Sequence, residues 1–243
     1  MTDETIERLV GAARLLVATD FDGVLAPIVS DPDDAAPLDG SMAALGALAA
    51  APDTTVAIVS GRELAQLDHL VPEPERFVLV GSHGAEIGET LVSDEDRALL
   101  DETIAGLDEL SQRILGLRVE PKVLSVAVHV RQVQGPDRDR ALAEIDRIRE
   151  RWPAKVVTGK EVVELSVADA TKGDAVIELK ARAAATVAVY IGDDVTDEDA
   201  FAVLGPADVG VKVGQGETLA SVRLDEPADV TRFLEALRTG RAG

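Results

Sequence analysis

Short, nearly continuous apolar runs alternate with helical patterns along this chain, and that alternation limits the possible folds more than any other feature. The runs are rich in valine, isoleucine, leucine and alanine, and they end in small or acidic residues. Strands of this kind are covered on both faces, as in a parallel sheet with crossover helices. The predicted core strands cover residues 15–19, 56–59, 77–80, 187–191 and 209–213.

The pattern changes between the third and fourth of these strands. Apolar residues recur at helical spacing over 95–116 and again over 137–150. After the first of these helices, residues 124–131 alternate strictly between apolar and other side chains, so that His129 and Arg131 share the non-apolar face. Two short strands are then expected at residues 155–158 and 162–167, joined through Gly159 and Lys160.

This order predicts an αββαββ layer whose sheet has helices on one face and an open second face. We therefore expect an α/β protein with a Rossmann-like parallel core and an inserted, smaller α+β domain. The core is predicted to comprise residues 1–86 and 169–243, and the insertion residues 87–168.

Composition excludes several classes of protein. The chain has 243 residues, with 45 Asp or Glu against 24 Lys or Arg and a formal charge of −21, which argues against nucleic-acid binding. With no cysteine there is neither a disulfide nor a thiolate site. No apolar run approaches the roughly 18 residues of a membrane span, and the beginning of the chain has no signal-peptide pattern. A cytoplasmic protein without a membrane partner is expected.

Two acidic segments follow predicted strands. Asp20 and Asp22 lie two residues apart in DFDGVL, where the Gly23 turn can bring the second acid back over the first. Asp193 follows another strand in GDDVTDED, at the same edge of the sheet. Oxygen ligands of this kind suit Mg²⁺. Solvated turns are the alternative for the first segment, and for the acids from Asp194 onward it is capping of the next helix.

Two further segments offer groups for a phosphate. Lys172 opens a helix in TKGD, and a lysine at that end of a helix is best explained by a bound anion, although a plain surface lysine remains the alternative. Ser60, Gly61 and Arg62 follow the second core strand, where a hydroxyl and backbone N–H groups can hold a phosphoryl oxygen.

Taken in order, DFDGVL, SGR, TKGD and GDDVTDED resemble the four motifs of the haloacid-dehalogenase superfamily of phosphotransferases. Within it the chain resembles the trehalose-6-phosphate phosphatase family over nearly its full length, because GSHGAE at residues 81–86, ExK at 120–122, HxR at 129–131 and Glu164 also match. The family often has Arg-Pro after the equivalent of Glu164, whereas this chain has Ser166 and Val167.

The resemblance implies a Mg²⁺-dependent phosphatase acting through a phosphoryl-aspartate. Asp20 would be the nucleophile and Asp22 the general acid and base, while Ser60 and Lys172 would hold the phosphoryl oxygens. Mg²⁺ would be bound by Asp20, the Asp22 carbonyl and Asp193. The implied substrate-binding residues are Gly61, Arg62, His83, Glu120, Lys122, His129, Arg131 and Glu164.

Other functions remain open at this point. One alternative is a phosphatase of another sugar phosphate, such as a glucosyl- or mannosyl-glycerate phosphate or a pseudo-disaccharide phosphate, and the departure near Ser166 is its only support. For His129 and Arg131 the alternative is a solvated strand. A non-catalytic sensor or synthase subunit would typically have lost one of the four motif residues Asp20, Asp22, Lys172 and Asp193, and all four are present. The sequence does not indicate whether the chain associates with a trehalose-phosphate synthase.

Overall fold

The computed structural model describes residues 3–29, 31–87, 89–90, 93–152, 156–158 and 161–241. The helices and strands follow in chain order: α1 (Asp3–Val10), β1 (Leu15–Thr19), α2 (Asp39–Ala49), β2 (Thr54–Val59), α3 (Leu64–Leu70), β3 (Val78–Gly81), β4 (Glu86–Ile87), β5 (Glu89–Thr90), α4 (Asp94–Ser111), β6 (Arg118–Pro121), β7 (Ser125–His129), α5 (Pro136–Arg149), β8 (Val156–Thr158), β9 (Val162–Ser166), α6 (Lys172–Arg182), β10 (Val187–Gly192), α7 (Glu198–Ala202), β11 (Val209–Val213), β12 (Val222–Leu224) and α8 (Pro227–Arg241). Among the described residues, no helix has the length and apolar character needed to cross a membrane.

The first of two compact units comprises Met1–Glu89 and Ala170–Gly243. Its strands belong to a sheet of order β12-β11-β10-β1-β2-β3-β4-β5. Neighbouring strands from β12 through to β3 in this order pair in parallel. Among the pairs described in this sheet, only β3 and β4 pair antiparallel. The predicted α/β class with a parallel sheet is therefore confirmed, and the core strands begin or end within two residues of the predicted positions.

The residues of β1 show why the apolar run is continuous. Leu15 and Val17 pack into one buried cluster with Phe233 of α8. Leu16 and Ala18 pack into a second cluster with Val176 of α6. Alternate side chains thus enter two different cores, as expected for a strand covered on both faces.

Strand order determines where the candidate site lies. β1 pairs with β10 on one side and with β2 on the other, so the carboxyl ends of all three strands lie together. The residues that follow these strands are those at 20–23, 193–197 and 60–62. The fold therefore brings three separate sequence motifs to one edge of the sheet.

The second unit comprises Thr90–Asp169. Its order is α4-β6-β7-α5-β8-β9, and its strands form an antiparallel sheet of order β6-β7-β9-β8. Leu100 and Leu107 of α4 pack with Val126 and Val128 of β7, and Ile145 of α5 joins the same apolar cluster. The predicted αββαββ layer is confirmed, whereas the functional roles given to the two parts of the chain remain predictions.

One expectation about the second unit is wrong. β7 ends at His129, and Arg131 lies exposed in the turn that follows, so the two side chains do not share a strand face. The Val130 N–H still donates to the Glu161 carbonyl at 2.9 Å, but the chain then turns, with the Val133 N–H donating to the Val130 carbonyl at 3.1 Å, and this turn ends the alternation. Lys155, Gly159 and Lys160, predicted to begin and join the last two strands, lie outside the described residues.

Candidate active site

Asp20 is held in one position at the end of β1. Its N–H donates to the Ile191 carbonyl of β10 at 2.8 Å. Oδ1 accepts from the Phe21 N–H at 2.6 Å, and Oδ2 accepts from Lys172 Nζ at 2.5 Å. The residue is 5% exposed. A buried carboxylate with bonds to both oxygens is oriented rather than free to rotate.

The chain turns sharply after Asp20. The Phe21 carbonyl accepts from the N–H groups of Leu25 and Ala26, and Gly23 has a φ of 74°. A Cβ atom at Gly23 would lie 2.0 Å from Asp193 Oδ2. Only glycine allows both this backbone conformation and so close an approach of the Asp193 carboxylate.

Asp197 joins several parts of the site, although the sequence interpretation did not single it out and left helix capping as the alternative for the acids from Asp194 onward. It is fully buried. Oδ1 accepts from Lys172 Nζ at 2.8 Å and from the Tyr190 hydroxyl at 2.7 Å. Oδ2 accepts from the N–H groups of Asp193 and Asp194, both at 2.9 Å. Capping is therefore only half of its role.

Lys172 lies between two carboxylates. Its ammonium group, at the first turn of α6, bonds to both Asp20 and Asp197, and its side chain is 2% exposed. Thr171 is the N-cap residue that precedes the helix, and its side chain forms a capping box with Asp174. Because Lys172 is buried against Asp20 and Asp197, it is not a plain surface lysine. The two carboxylates also balance the positive charge of Lys172, which the helix N-terminus alone would disfavour.

Burial shifts the acid–base properties of this cluster. It raises the pKa of Asp20 to about 7, an increase that Lys172 opposes and the charge of Asp197 reinforces. Burial likewise raises the pKa of Asp193 to about 6, with Asp197 adding to the effect. Burial lowers the pKa of Lys172, but the two carboxylates outweigh it and the net shift is upward. The carboxylates are thus costly to ionise together without additional positive charge.

The cluster fits an oxygen-coordinated cation. Asp20, Asp193 and Asp197 each place one carboxylate oxygen within 4.8 Å of the others. Asp197 already accepts four hydrogen bonds, whereas the Asp193 carboxylate accepts none from the described residues. Asp193 and Asp20 therefore have the oxygens best placed for a cation such as Mg²⁺, while Asp197 orients its neighbours.

Lys212 is a second residue that the sequence interpretation did not single out. It is the one cation within the apolar strand β11, it is buried, and its Nζ donates to the Asp193 carbonyl. A lysine inside an otherwise apolar strand was the available signal, since a buried charge needs a specific partner. Tyr190, the single tyrosine of the chain, offered the same kind of signal in β10.

The loop after β2 carries Ser60, Gly61 and Arg62. Ser60 is buried, and its Oγ accepts from the Arg62 N–H at 3.2 Å. A Cβ atom at Gly61 would lie 2.5 Å from the His83 ring, so the histidine lies directly against this loop. The Arg62 guanidinium is directed at Asp22, with bonds of 2.7 and 2.8 Å.

The predicted residues of the second unit form two separate groups. His129 Nε2 lies 2.9 Å from Glu120 Oε2, which also accepts from Arg118. Glu164 accepts from Lys122 Nζ at 3.0 Å and from the Ser125 hydroxyl at 2.6 Å. The strand register explains the separation. Glu120 and Glu164 pair with Ala127 from opposite sides, so that β7 lies between the two glutamates. Arg131 belongs to neither group.

Comparisons with known proteins identify relatives of the whole chain. The trehalose-phosphatase family model matches residues 18–228. An uncharacterized glycosyl hydrolase of Mycobacterium tuberculosis is 36% identical over 96% of this chain, but the chain spans only 19% of that protein, about a fifth of its length. The trehalose-6-phosphate phosphatase of Escherichia coli K12 is 34% identical over 98% of this chain and 92% of its own length.

A solved structure has the same architecture. The trehalose-6-phosphate phosphatase of Aspergillus fumigatus superposes with a TM-score of 0.73 and 28% identity, covering 98% of both chains. Sequence and structure comparisons thus agree over nearly all of this chain. The chain belongs to the trehalose-phosphatase family.

Proposed function

We propose that this chain catalyses the Mg²⁺-dependent hydrolysis of trehalose-6-phosphate to trehalose and phosphate. The observation that carries the proposal is the Asp20 carboxylate, which is buried at the end of β1 with Lys172 Nζ at 2.5 Å and an Asp193 oxygen within 4.8 Å. An oriented carboxylate between an ammonium group and a candidate cation position suits nucleophilic attack on a phosphate ester.

The proposed reaction has two halves. In the first, an Asp20 oxygen bonds to phosphorus as the bond between phosphorus and the sugar oxygen breaks, and Asp22 donates a proton to that oxygen. In the second, water attacks the phosphoryl-aspartate, Asp22 takes a proton from the water, and Asp20 and phosphate are released. One residue serves both halves because the proton that it loses in the first is recovered in the second.

The charge on the phosphoryl group needs positive partners. We propose that Lys172 and Ser60 hold the transferring oxygens, with the N–H groups around Gly61 beside them. Asp20, Asp193 and the Asp22 carbonyl would hold Mg²⁺, which when bound neutralises phosphate charge and makes phosphorus more electrophilic.

Sugar recognition is proposed for the predicted insertion, residues 87–168, acting as a specificity domain; in the structure this corresponds to the second unit, Thr90–Asp169. Glu120 and Glu164 accept hydrogen bonds, and Lys122, His129 and Arg131 donate them, which is the mixture that a polyhydroxylated, anionic substrate requires. In the predicted core, residues 1–86 and 169–243, His83 is proposed as a substrate-binding residue. A cytoplasmic location belongs to this proposal as well.

The test is phosphate release by the purified chain from a panel containing trehalose-6-phosphate, glucose-6-phosphate, sucrose-6-phosphate and a glucosylglycerate phosphate, with Mg²⁺ and with excess EDTA. We expect the highest kcat/KM on trehalose-6-phosphate, loss of activity in EDTA, and recovery when Mg²⁺ is restored. A higher kcat/KM on another ester would replace the substrate, full activity in EDTA would contradict the metal requirement, and no release from any ester would overturn the proposal.

A further inference from the structure

We propose that Arg62 is a positioning residue that orients the carboxylate of Asp22 for both proton transfers. The inference rests on the proposed function, in which Asp22 is the acid and base. It also differs from the role that the family resemblance suggested for Arg62, which was contact with the substrate. The difference between positioning and substrate contact is measurable.

The contact between the two side chains is bidentate. Arg62 Nε donates to Asp22 Oδ2 at 2.7 Å, and a second guanidinium nitrogen, Nη2, donates to Oδ1 at 2.8 Å. Two parallel bonds between planar groups define the plane of the carboxylate as well as its distance. A lysine would supply the charge without that planar geometry.

Arg62 is itself firmly held. The guanidinium carbon lies 5.7 Å from the centre of the Phe21 ring, and Phe21 is fully buried. The Arg62 N–H donates to Ser60 Oγ, and the Arg62 carbonyl accepts from the Ser82 N–H at 2.7 Å. The side chain is 9% exposed. It therefore acts from a rigid loop on a buried ring, unlike an exposed arginine that samples many rotamers.

The residues that brace this loop come from the GSHGAE segment. Glu86 is buried and accepts from the Leu64 N–H at 3.0 Å and from the Ser82 hydroxyl at 2.6 Å. The His83 N–H donates to the Ser60 carbonyl at 2.9 Å. These bonds tie the segment to both sides of Arg62, which gives the segment a structural role in presenting the guanidinium.

The arrangement leaves one cost uncompensated. Arg62 Nη1 is buried and has no hydrogen-bond partner among the described residues. Buried donors are nearly always satisfied, so an exception calls for an explanation. The explanation is the orientation of Asp22, because turning the guanidinium to give Nη1 a partner would break the two parallel bonds to the Asp22 carboxylate.

The geometry leaves Asp22 able to react. Each carboxylate oxygen has two lone pairs, and Arg62 occupies one on each, so one on each remains for a proton. The Asp22 side chain is 32% exposed, while that of its partner is nearly buried. Misplacement of an oriented acid slows the chemical steps without weakening ground-state binding.

The first experiment compares Arg62→Gln and Arg62→Lys with the wild type on trehalose-6-phosphate at saturating Mg²⁺. We expect kcat to fall at least about tenfold in both variants while KM changes by less than about threefold. The matched control is Arg182→Gln, which removes an exposed ion pair with Glu178 on α6 and should leave kcat unchanged. A rise in KM with kcat intact would overturn the inference and return Arg62 to substrate binding.

The second experiment repeats Arg62→Gln in an Asp22→Ala background, using an aryl phosphate with a good leaving group so that residual turnover can be measured. Because Arg62 acts through Asp22, the second substitution should change the rate by less than about twofold. Losses that multiply would contradict positioning. If Arg62→Gln does not fold, Arg62→Lys is read in the same cycle. If the wild type is inactive on every ester, both the proposed function and the inference are overturned. If the wild type is active but the rate losses of the two substitutions multiply, only the inference is overturned.

Discussion

At the scale of single residues, one carboxylate organises the candidate site without standing at the centre of the proposed chemistry. Asp197 fixes Lys172 on one oxygen and the backbone after β10 on the other. Lys172 in turn holds Asp20. The positions of the proposed nucleophile Asp20 and of the proposed metal ligand Asp193 thus both depend on Asp197.

Tyr190→Phe tests this dependence while conserving shape. Phenylalanine keeps the edge-on contact with Phe201 but removes the hydroxyl that donates to Asp197. We expect the free energy of unfolding to fall by about 1.5 to 3 kcal/mol, the range for a hydrogen bond to a charged group, and kcat to fall several-fold. Urea denaturation and steady-state kinetics provide the two measurements. Unchanged values of both would show that Tyr190 does not support Asp197.

At the scale of elements, the turn after β1 brings a peptide and a carboxylate into direct contact. Gly23 faces Asp193 at the end of β10, and these two strands are neighbours in the sheet. Because β1 and β10 are adjacent parallel strands, the proposed metal ligands that follow them, Asp20 and Asp193, lie close together.

Gly23→Ala disturbs that contact directly. A methyl group at this position would strike the Asp193 carboxylate, and the positive φ adds strain of about 1 to 3 kcal/mol. The Mg²⁺ concentration for half-maximal activity should rise at least about tenfold, because Asp193 must move. Gly106→Ala in α4 is the matched control, since its Cβ meets no atom within 4 Å and should stabilise the helix slightly. An unchanged Mg²⁺ requirement in Gly23→Ala would contradict a ligand role for Asp193.

Local patterns predicted the elements well and the contacts between distant residues poorly. The strand at residues 15–19 was predictable because its side chains fill two cores, which demands an unbroken apolar run. Asp197 was not, because an aspartate at the start of a helix is equally typical of a cap, and its partner Lys172 lies 25 residues earlier. The pairing of Lys122 with Glu164 depends in the same way on strand register, which spacing along the chain does not determine.

At the scale of the whole molecule, the net charge sets a requirement. A chain with a formal charge of −21 repels the proposed dianionic substrate at long range, so attraction must come from local positive charge. Lys172 and Arg62 are already paired with carboxylates. Additional positive charge from a bound cation is therefore consistent with the whole charge distribution as well as with the donor set.

The division into two units separates proposed chemistry from proposed sugar recognition. Glu164→Gln should lower kcat/KM on trehalose-6-phosphate by about 10- to 100-fold, the range for a lost charge-assisted bond, yet barely change turnover of a small aryl phosphate. Glu161→Gln is the matched control, because Glu161 pairs with Arg138 in the same unit and has no proposed substrate contact. Equal losses on both substrates in Glu164→Gln would show that this residue supports the fold or the chemistry instead.

The proposed role of Asp20 as the nucleophile is tested by phosphate release from trehalose-6-phosphate by Asp20→Asn at saturating Mg²⁺. An amide is a far poorer nucleophile, so we expect kcat/KM to fall at least about 1,000-fold, since the covalent route is lost. The control is Asp199→Asn, which changes an exposed acid on α7 and should retain wild-type activity. Cooperative unfolding of Asp20→Asn would show that its fold is intact. Near-normal kcat/KM in the folded Asp20→Asn variant would show that Asp20 is not the nucleophile.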